Sequence, residues 1–180
     1  GDFMLHYQPQ VNLRTGRISA VEALLRWPHP RLGLVPPLEF LPLAQEAGLM
    51  KSLTAWVLEQ ALVQCAAWRL SGRDLTVSVN VSTTDLLDPG FASFVRRLLE
   101  RHSLPAAALI IEITETTIIG DFEACKLVIA ELRVLGLGVS IDDFGAGFTS
   151  LAHLASLAVS ELKLDRTFIT GLVFGEPGRD

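Results

Sequence analysis

Short apolar runs of strand length alternate with longer helical patterns along nearly the whole chain, and this alternation predicts βα units around a mostly parallel sheet. The candidate strands are Leu5–Gln8, Ile18–Leu25, Leu75–Asn80, Leu109–Ile113, Gly138–Ile141 and Glu161–Leu164. Several read as apolar on both faces, as expected where helices cover both sides of a parallel sheet. The stretch Val77-Ser78-Val79-Asn80-Val81 alternates instead. Leu53, Trp56, Val57, Ala61, Cys65 and Trp68 recur at steps of three and four, a helical stripe that Gly72 ends. Asp88-Pro89 predicts the N-cap and first turn of a helix reaching His102, and Asp121 to Leu135 predicts another, stopped by Gly136. A shorter helix is expected over Ser150–Leu157. Pro28, Pro30, Pro36 and Pro37 predict a loop after the second strand, leading to a helix over Leu38–Ala47.

Composition narrows the function. Aliphatic, aromatic and cysteine residues make up 49% of the 180 residues and charged residues 19%, which excludes a disordered tail. A mean hydropathy of +0.39 implies a large interior, yet no window approaches the ~18 uninterrupted apolar residues of a spanning helix. With 15 basic and 20 acidic residues the net charge is −5, so a surface that coats DNA or RNA polymers is not expected. Cys65 and Cys125 lie far apart without metal-type spacing, which argues for core packing and a reducing compartment. Glycine-lysine and three-glycine phosphate fingerprints are absent. His6, His29, His102 and His153 form no Ser/His/Asp or H-E-x-x-H arrangement.

Chemistry concentrates at the carboxyl ends of the candidate strands, where Glu22, Asn80, Glu112 and the pair Asp142-Asp143 fall. In parallel α/β sheets that end is where loops converge and sites are built. All-oxygen ligands from four strands point to a hard cation, Mg²⁺ or Mn²⁺, and adjacent aspartates point to a pair of them. Each residue alone has a plainer reading: Asn80 as a cap, Glu112 and Glu115 as a solvated strand end, Asp142-Asp143-Phe144-Gly145 as a turn. Lys163 is either a surface lysine or, inside a barrel, a cation that holds water and steadies phosphoryl charge. Arg26 is the nearest guanidinium able to grip a phosphate, or a surface arginine beside Trp27. Gly145-Ala146-Gly147 followed by Phe148-Thr149-Ser150 reads as a loop closing on the site.

Taken together, Tyr7-Gln8-Pro9, Glu22-Ala23-Leu24-Leu25-Arg26-Trp27, Ser78-Val79-Asn80-Val81-Ser82, Glu112-Ile113-Thr114-Glu115, Asp142-Asp143-Phe144-Gly145-Ala146-Gly147 and Lys163-Leu164-Asp165-Arg166 resemble, in order and spacing, the EAL family of bacterial cyclic di-GMP phosphodiesterases. The resemblance implies an α/β fold, a modified TIM (β/α)₈ barrel with its first strand antiparallel. It implies that Glu22, Asn80, Glu112 and Asp142 hold one Mg²⁺ or Mn²⁺ and that Asp142 and Asp143 engage a second. Lys163 would orient the attacking water, with Glu22 the second residue of the chemistry, Glu115 would anchor the glycine loop, and Gln8 and Arg26 would contact the dinucleotide. The implied reaction is hydrolysis of cyclic di-GMP to linear pGpG. A homodimer, sensory or cyclase domains in a parent protein, and a cytoplasmic location, with or without a membrane tether outside this chain, are further expectations of the family.

The resemblance also implies two βα units beyond the lysine strand, with a Glu-Gly-Val-Glu type motif, and nothing after Asp165 supplies them. Residues 1–180 are therefore expected to be one C-terminally incomplete barrel domain, inactive by itself, with the first cation's ligands present and the second's not. Ala146 and Phe148 stand where the family more often has threonine and tyrosine. Two other readings compete: a cyclic di-GMP receptor without catalysis, and enolate chemistry with Lys163 as base.

Overall fold

The computed structural model describes residues 3–145 and 156–165. Its frame is a curved sheet ordered β1-β2-β4-β5-β6-β7, from strands Met4–Asn12 (β1), Arg17–His29 (β2), Thr76–Asn80 (β4), Leu109–Thr114 (β5), Gly138–Phe144 (β6) and Glu161–Leu164 (β7). β1 pairs antiparallel with β2, and every later pairing along this order is parallel, giving a mixed half-barrel. Helices cover its outside: Pro37–Glu46 (α1), Met50–Leu70 (α2), Thr83–Leu86 (α3), Phe91–Arg101 (α4), Glu115–Gly120 (α5) and Phe122–Val134 (α6).

The two faces of the sheet differ in kind. Val21, Ala23, Val77, Val79, Leu109, Ile111, Ile113, Val139 and Ile141 point outward and are buried, packed with Leu58, Leu62 and Cys65 of α2 and Cys125, Ile129 and Leu132 of α6. Burial of each such leucine or isoleucine contributes roughly 1.5–3 kcal/mol. The register puts Glu22 beside Ser78, Asn80 beside Glu112, Glu112 beside Ser140, and Ser140 beside Glu161, so the alternate residues form a polar inner face. The expectation of strands apolar on both faces is thus corrected: period-2 alternation holds across the central strands, because only the outer face meets helices.

Near the floor of the inner face Gly138 sits opposite Ile110, and a methyl group on it would come within 2.6 Å of Ile110 Cγ1. Only glycine lets the isoleucine fill that layer. At the end of α6, Gly136 takes φ +92°, its N–H donates to the Arg133 carbonyl and Leu137 N–H to the Leu132 carbonyl, so the reading of Gly136 as a helix stop holds. Asp121 likewise caps α6, accepting from Ala124 N–H at 3.1 Å.

Two readings of the chain are corrected. Pro28 lies within β2, which runs on to His29 and pairs with a short strand, Gly33–Val35 (β3), in place of the expected loop. Pro28 faces Leu34 in a three-residue ribbon, where a missing N–H costs little. Asp88 does not cap α4, since the helix begins two residues later, behind Gly90; Asp88 instead accepts from Gly90 N–H and pairs with Lys51. Cys65 and Cys125 are free and buried, as their spacing indicated. The glycine loop after Gly145, nearly all of the helix expected over Ser150–Leu157, His153 and the residues after Asp165 lie outside the described residues. No helix among the described residues is long and apolar enough to cross a membrane.

Candidate cation site at the barrel mouth

Five parallel strands deliver their polar inner residues to the carboxyl-terminal mouth. One oxygen each of Glu22 (β2), Glu112 (β5) and Asp142 (β6) lies within 4.8 Å of the others, close enough to share one cation. Asn80, at the end of β4, donates from Nδ2 to Glu22 Oε1 at 2.9 Å, which aligns its amide beside this group. Lys163 of β7 reaches in from the far side, its Nζ 2.7 Å from Glu22 Oε2 and 2.5 Å from Glu112 Oε1. The sequence-predicted residues Glu22, Asn80, Glu112, Asp142 and Lys163 are therefore brought together.

Glu112 is the deepest of them, 0% exposed; its Oε1 is ion-paired with Lys163, while Oε2 has no hydrogen-bond partner among the described residues. Burial pushes its carboxyl up to about 7, an effect that the Lys163 ammonium opposes only in part. Burial alone would lower the Lys163 ammonium, but Glu112 and Glu22 outweigh it and hold the lysine above its ordinary range. Flanked by two carboxylates, the lysine is held as an ammonium in this arrangement. Three carboxylates whose oxygens converge within 4.8 Å, one of them fully buried, are a donor set that fits a hard divalent ion.

Asp142 and Asp143 would point to opposite faces of a regular strand. The register of β6 with β7 shifts between Ile141 and Phe144, and Asp143 takes φ +54°, a conformation aspartate tolerates better than most residues. The irregularity leaves Asp143 within electrostatic reach of Asp142, Asp165, Lys163 and Glu22, and burial followed by the neighbouring aspartates raises its pKa. The turn reading has a share of truth as well: Asp142 Oδ1 accepts from Asp143 N–H at 3.0 Å. Glu115 Oε2, at the start of α5, accepts from Gly145 N–H at 3.0 Å and so reaches the first residue of the glycine loop.

Gln8 faces Glu22 directly across the antiparallel β1–β2 pair, on the same face and exposed. Arg26 lies one turn of strand further on, half-buried, with Nη1 donating to the Leu25 carbonyl at 2.8 Å. It lines a cavity of about 340 Å³ together with Asn80, Ser82, Thr54, Leu41 and Thr114. Thr54 and Asp85 escaped sequence reasoning, and Ser82 stood in its motif without a role: the three join through Asp85 Oδ2, which accepts from the Thr54 hydroxyl at 2.5 Å and the Ser82 hydroxyl at 2.7 Å. The Ser82-x-x-Asp85 spacing was the visible signal, a capping pair in which Ser82 Oγ accepts from Asp85 N–H.

A curved parallel sheet with an acid–lysine cluster at its carboxyl end defines the class: an α/β barrel-type domain with a candidate divalent-cation site. The comparisons make the family particular. The sequence profile of the EAL domain matches residues 1–179, and the chain belongs to the EAL-domain family. It is 42% identical over 175 residues to "Cyclic di-GMP phosphodiesterase PA2567" of Pseudomonas aeruginosa, covering 97% of this chain and 30% of that protein. It is 45% identical over 170 residues to the "Bifunctional diguanylate cyclase/cyclic di-GMP phosphodiesterase MucR" of the same organism, covering 94% of this chain and 25% of that protein. The chain therefore spans under a third of the length of these curated relatives. Among solved structures, the PaMucR phosphodiesterase in complex with c-di-GMP matches with TM-score 0.90 and 44% identity, covering 96% of this chain and 70% of that one. The FimX EAL domain from Pseudomonas aeruginosa bound to c-di-GMP matches with TM-score 0.85 and 29% identity, over 95% and 69%.

Proposed function

We propose that the chain provides the cation-binding barrel of a cyclic di-GMP phosphodiesterase, which hydrolyses one 3′–5′ phosphodiester bond to give linear pGpG. The observation that carries this reading is the convergence of ligand oxygens of Glu22, the fully buried Glu112 and Asp142 within 4.8 Å of one another, with Lys163 beside them. Glu22, Asn80, Glu112 and Asp142 would hold one Mg²⁺ or Mn²⁺, and Asp142 with Asp143 would engage a second. Such ions lower the pKa of a coordinated water toward ~7 and neutralise phosphate charge.

The chain's own residues do the remaining work. Water oxygen forms the new bond to phosphorus as the P–O3′ bond breaks, and the water's proton balances the departing oxygen. Lys163, kept protonated by its two glutamates, donates hydrogen bonds that hold the water or the phosphoryl oxygens in place. Arg26 and Gln8, on the rim, suit contact with phosphate and base of the dinucleotide. Glu115 ties Gly145 to α5 and steadies the start of the loop that follows the aspartates.

The test is conversion of cyclic di-GMP by the purified full-length parent protein with Mn²⁺ or Mg²⁺, followed by chromatography of the products. Glu22→Ala should lower turnover by roughly 10³-fold, because an ion ligand and the partner of Lys163 leave together. Tight binding of cyclic di-GMP with no product at saturating metal would replace hydrolysis by a receptor role, and unchanged turnover in Glu22→Ala would overturn the assignment of the site.

A further inference from the structure

The sheet hydrogen bonds that direct Asn80 stop one residue beyond it, where Val81 N–H donates to the Glu112 carbonyl at 2.9 Å. From there the chain enters α3, a helix of 4 residues that is too short to hold its own geometry. Its shape is imposed from two sides. On one side Asp85, 4% exposed, takes the hydroxyls of Ser82 and of Thr54, a residue of the long helix α2, onto a single oxygen. On the other side the Thr83 hydroxyl donates to Thr117 at 3.0 Å, and Thr117 meets Thr114, next to Glu115, at 3.0 Å. A buried carboxylate is an expensive way to fill such a place, since an apolar side chain would pack there without a desolvation cost. What the carboxylate adds is direction: two hydroxyls from separate elements converge on one point and fix the turn that follows Asn80.

We propose that Asp85 is a positioning residue for the cation site, acting through Ser82 and Thr54 to set where the Asn80 amide is presented to Glu22, Glu112 and Asp142. The inference rests on the reading of those four residues as a cation site. Asp85 touches neither ion nor substrate in this scheme.

Calorimetric titration of Mn²⁺ into the metal-free protein tests it, alongside thermal unfolding and kcat and KM for cyclic di-GMP at several Mn²⁺ concentrations. Asp85→Ala should weaken Mn²⁺ binding by about 10-fold or more, the usual range for loss of a group that orients a ligand. KM should stay within about twofold and kcat should return toward the parent value at saturating Mn²⁺, because the ligands themselves remain. Asp85→Asn retains an oxygen for both hydroxyls and should bind Mn²⁺ within about threefold of the parent, while Thr54→Val should fall between the two. If Asp85→Ala does not fold, the contrast between Asp85→Asn and Thr54→Val carries the test. Melting temperatures that drop while Mn²⁺ affinity stays at the parent value in Asp85→Ala or Thr54→Val would overturn the positioning role and leave the proposed function intact. A parent protein that takes up no Mn²⁺ would overturn both.

Discussion

Asp85 and Glu112 are both carboxylates removed from solvent, 4% and 0% exposed, and they are partnered in different ways. Asp85 has two hydroxyl donors on one oxygen and a role in its own helix cap. Glu112 is ion-paired through Oε1 to Lys163 and has no hydrogen-bond partner on Oε2 among the described residues. Interior polar groups are nearly always satisfied, because an unmet one costs on the order of 1–3 kcal/mol. A fully buried carboxylate with one oxygen unpartnered among the described residues, next to two other acids, is therefore informative, since the fold tolerates it for what it can hold. The acid bound by two hydroxyls maintains a shape, and the one paired with a lysine and set beside two other acids is placed for chemistry.

The sharpest way to break this comparison is to neutralise each acid isosterically. Glu112→Gln should reduce turnover of cyclic di-GMP by roughly 10³-fold while its unfolding midpoint in the absence of metal stays level or rises, because a buried charge is removed. Asp85→Asn should keep most of the turnover. Comparable activity losses in the two variants would erase the distinction between them.

Acidity sharpens it next. An ordinary glutamate in the unfolded chain titrates near 4.5, whereas Glu112 in the metal-free fold titrates at about 7. Between those values the folded protein retains a proton that the unfolded chain has released, so stability is complete below pH 4.5 and falls as pH rises through 7. The loss should be on the order of 3 kcal/mol, read as the denaturation midpoint against pH, and it should vanish in Glu112→Gln. Asp143, also held above its ordinary range, acts in the same direction. For the same reason Mn²⁺ affinity should increase with pH across this window, since ligation requires the deprotonated carboxylate.

The smallest effect is expected from the floor of the inner face. Gly138→Ala sets a methyl against Ile110 Cγ1, two residues before Glu112, and should cost about 1–3 kcal/mol in chemical denaturation with no change at the Asp85 network. A neutral outcome would mean that Ile110 moves freely and that the inner face is less fixed than its register indicates.

The strands, the long helices and the convergence of Glu22, Asn80, Glu112 and Asp142 were legible in the sequence, because period-2 and period-3.6 patterns and strand-end acids are local signals. What was hidden depended on contacts between distant segments. Thr54 and Asp85 lie 31 positions apart and meet only through the packing of α2 on α3, which no local pattern encodes. The proline at 28 looked like a break because its tolerance depends on the short ribbon β3 that it joins. Asp88 looked like a cap because Asp-Pro is a strong local signal, yet its carboxylate is taken by Lys51 of a different helix. The inner polarity of the sheet was misjudged for a related reason: which face is lined by helices is a property of the assembled barrel.

The alternation that turns Glu112 inward and Ile111 and Ile113 outward has a consequence for how such a gene can change. Substitution at a single codon alters one side chain and leaves its neighbours facing as before. Insertion or deletion of one residue within β5 would rotate the whole strand by half a period, sending the acid into the oily layer and an isoleucine into the cage. Lineages carrying this domain can therefore drift in composition far more readily than in the length of these strands.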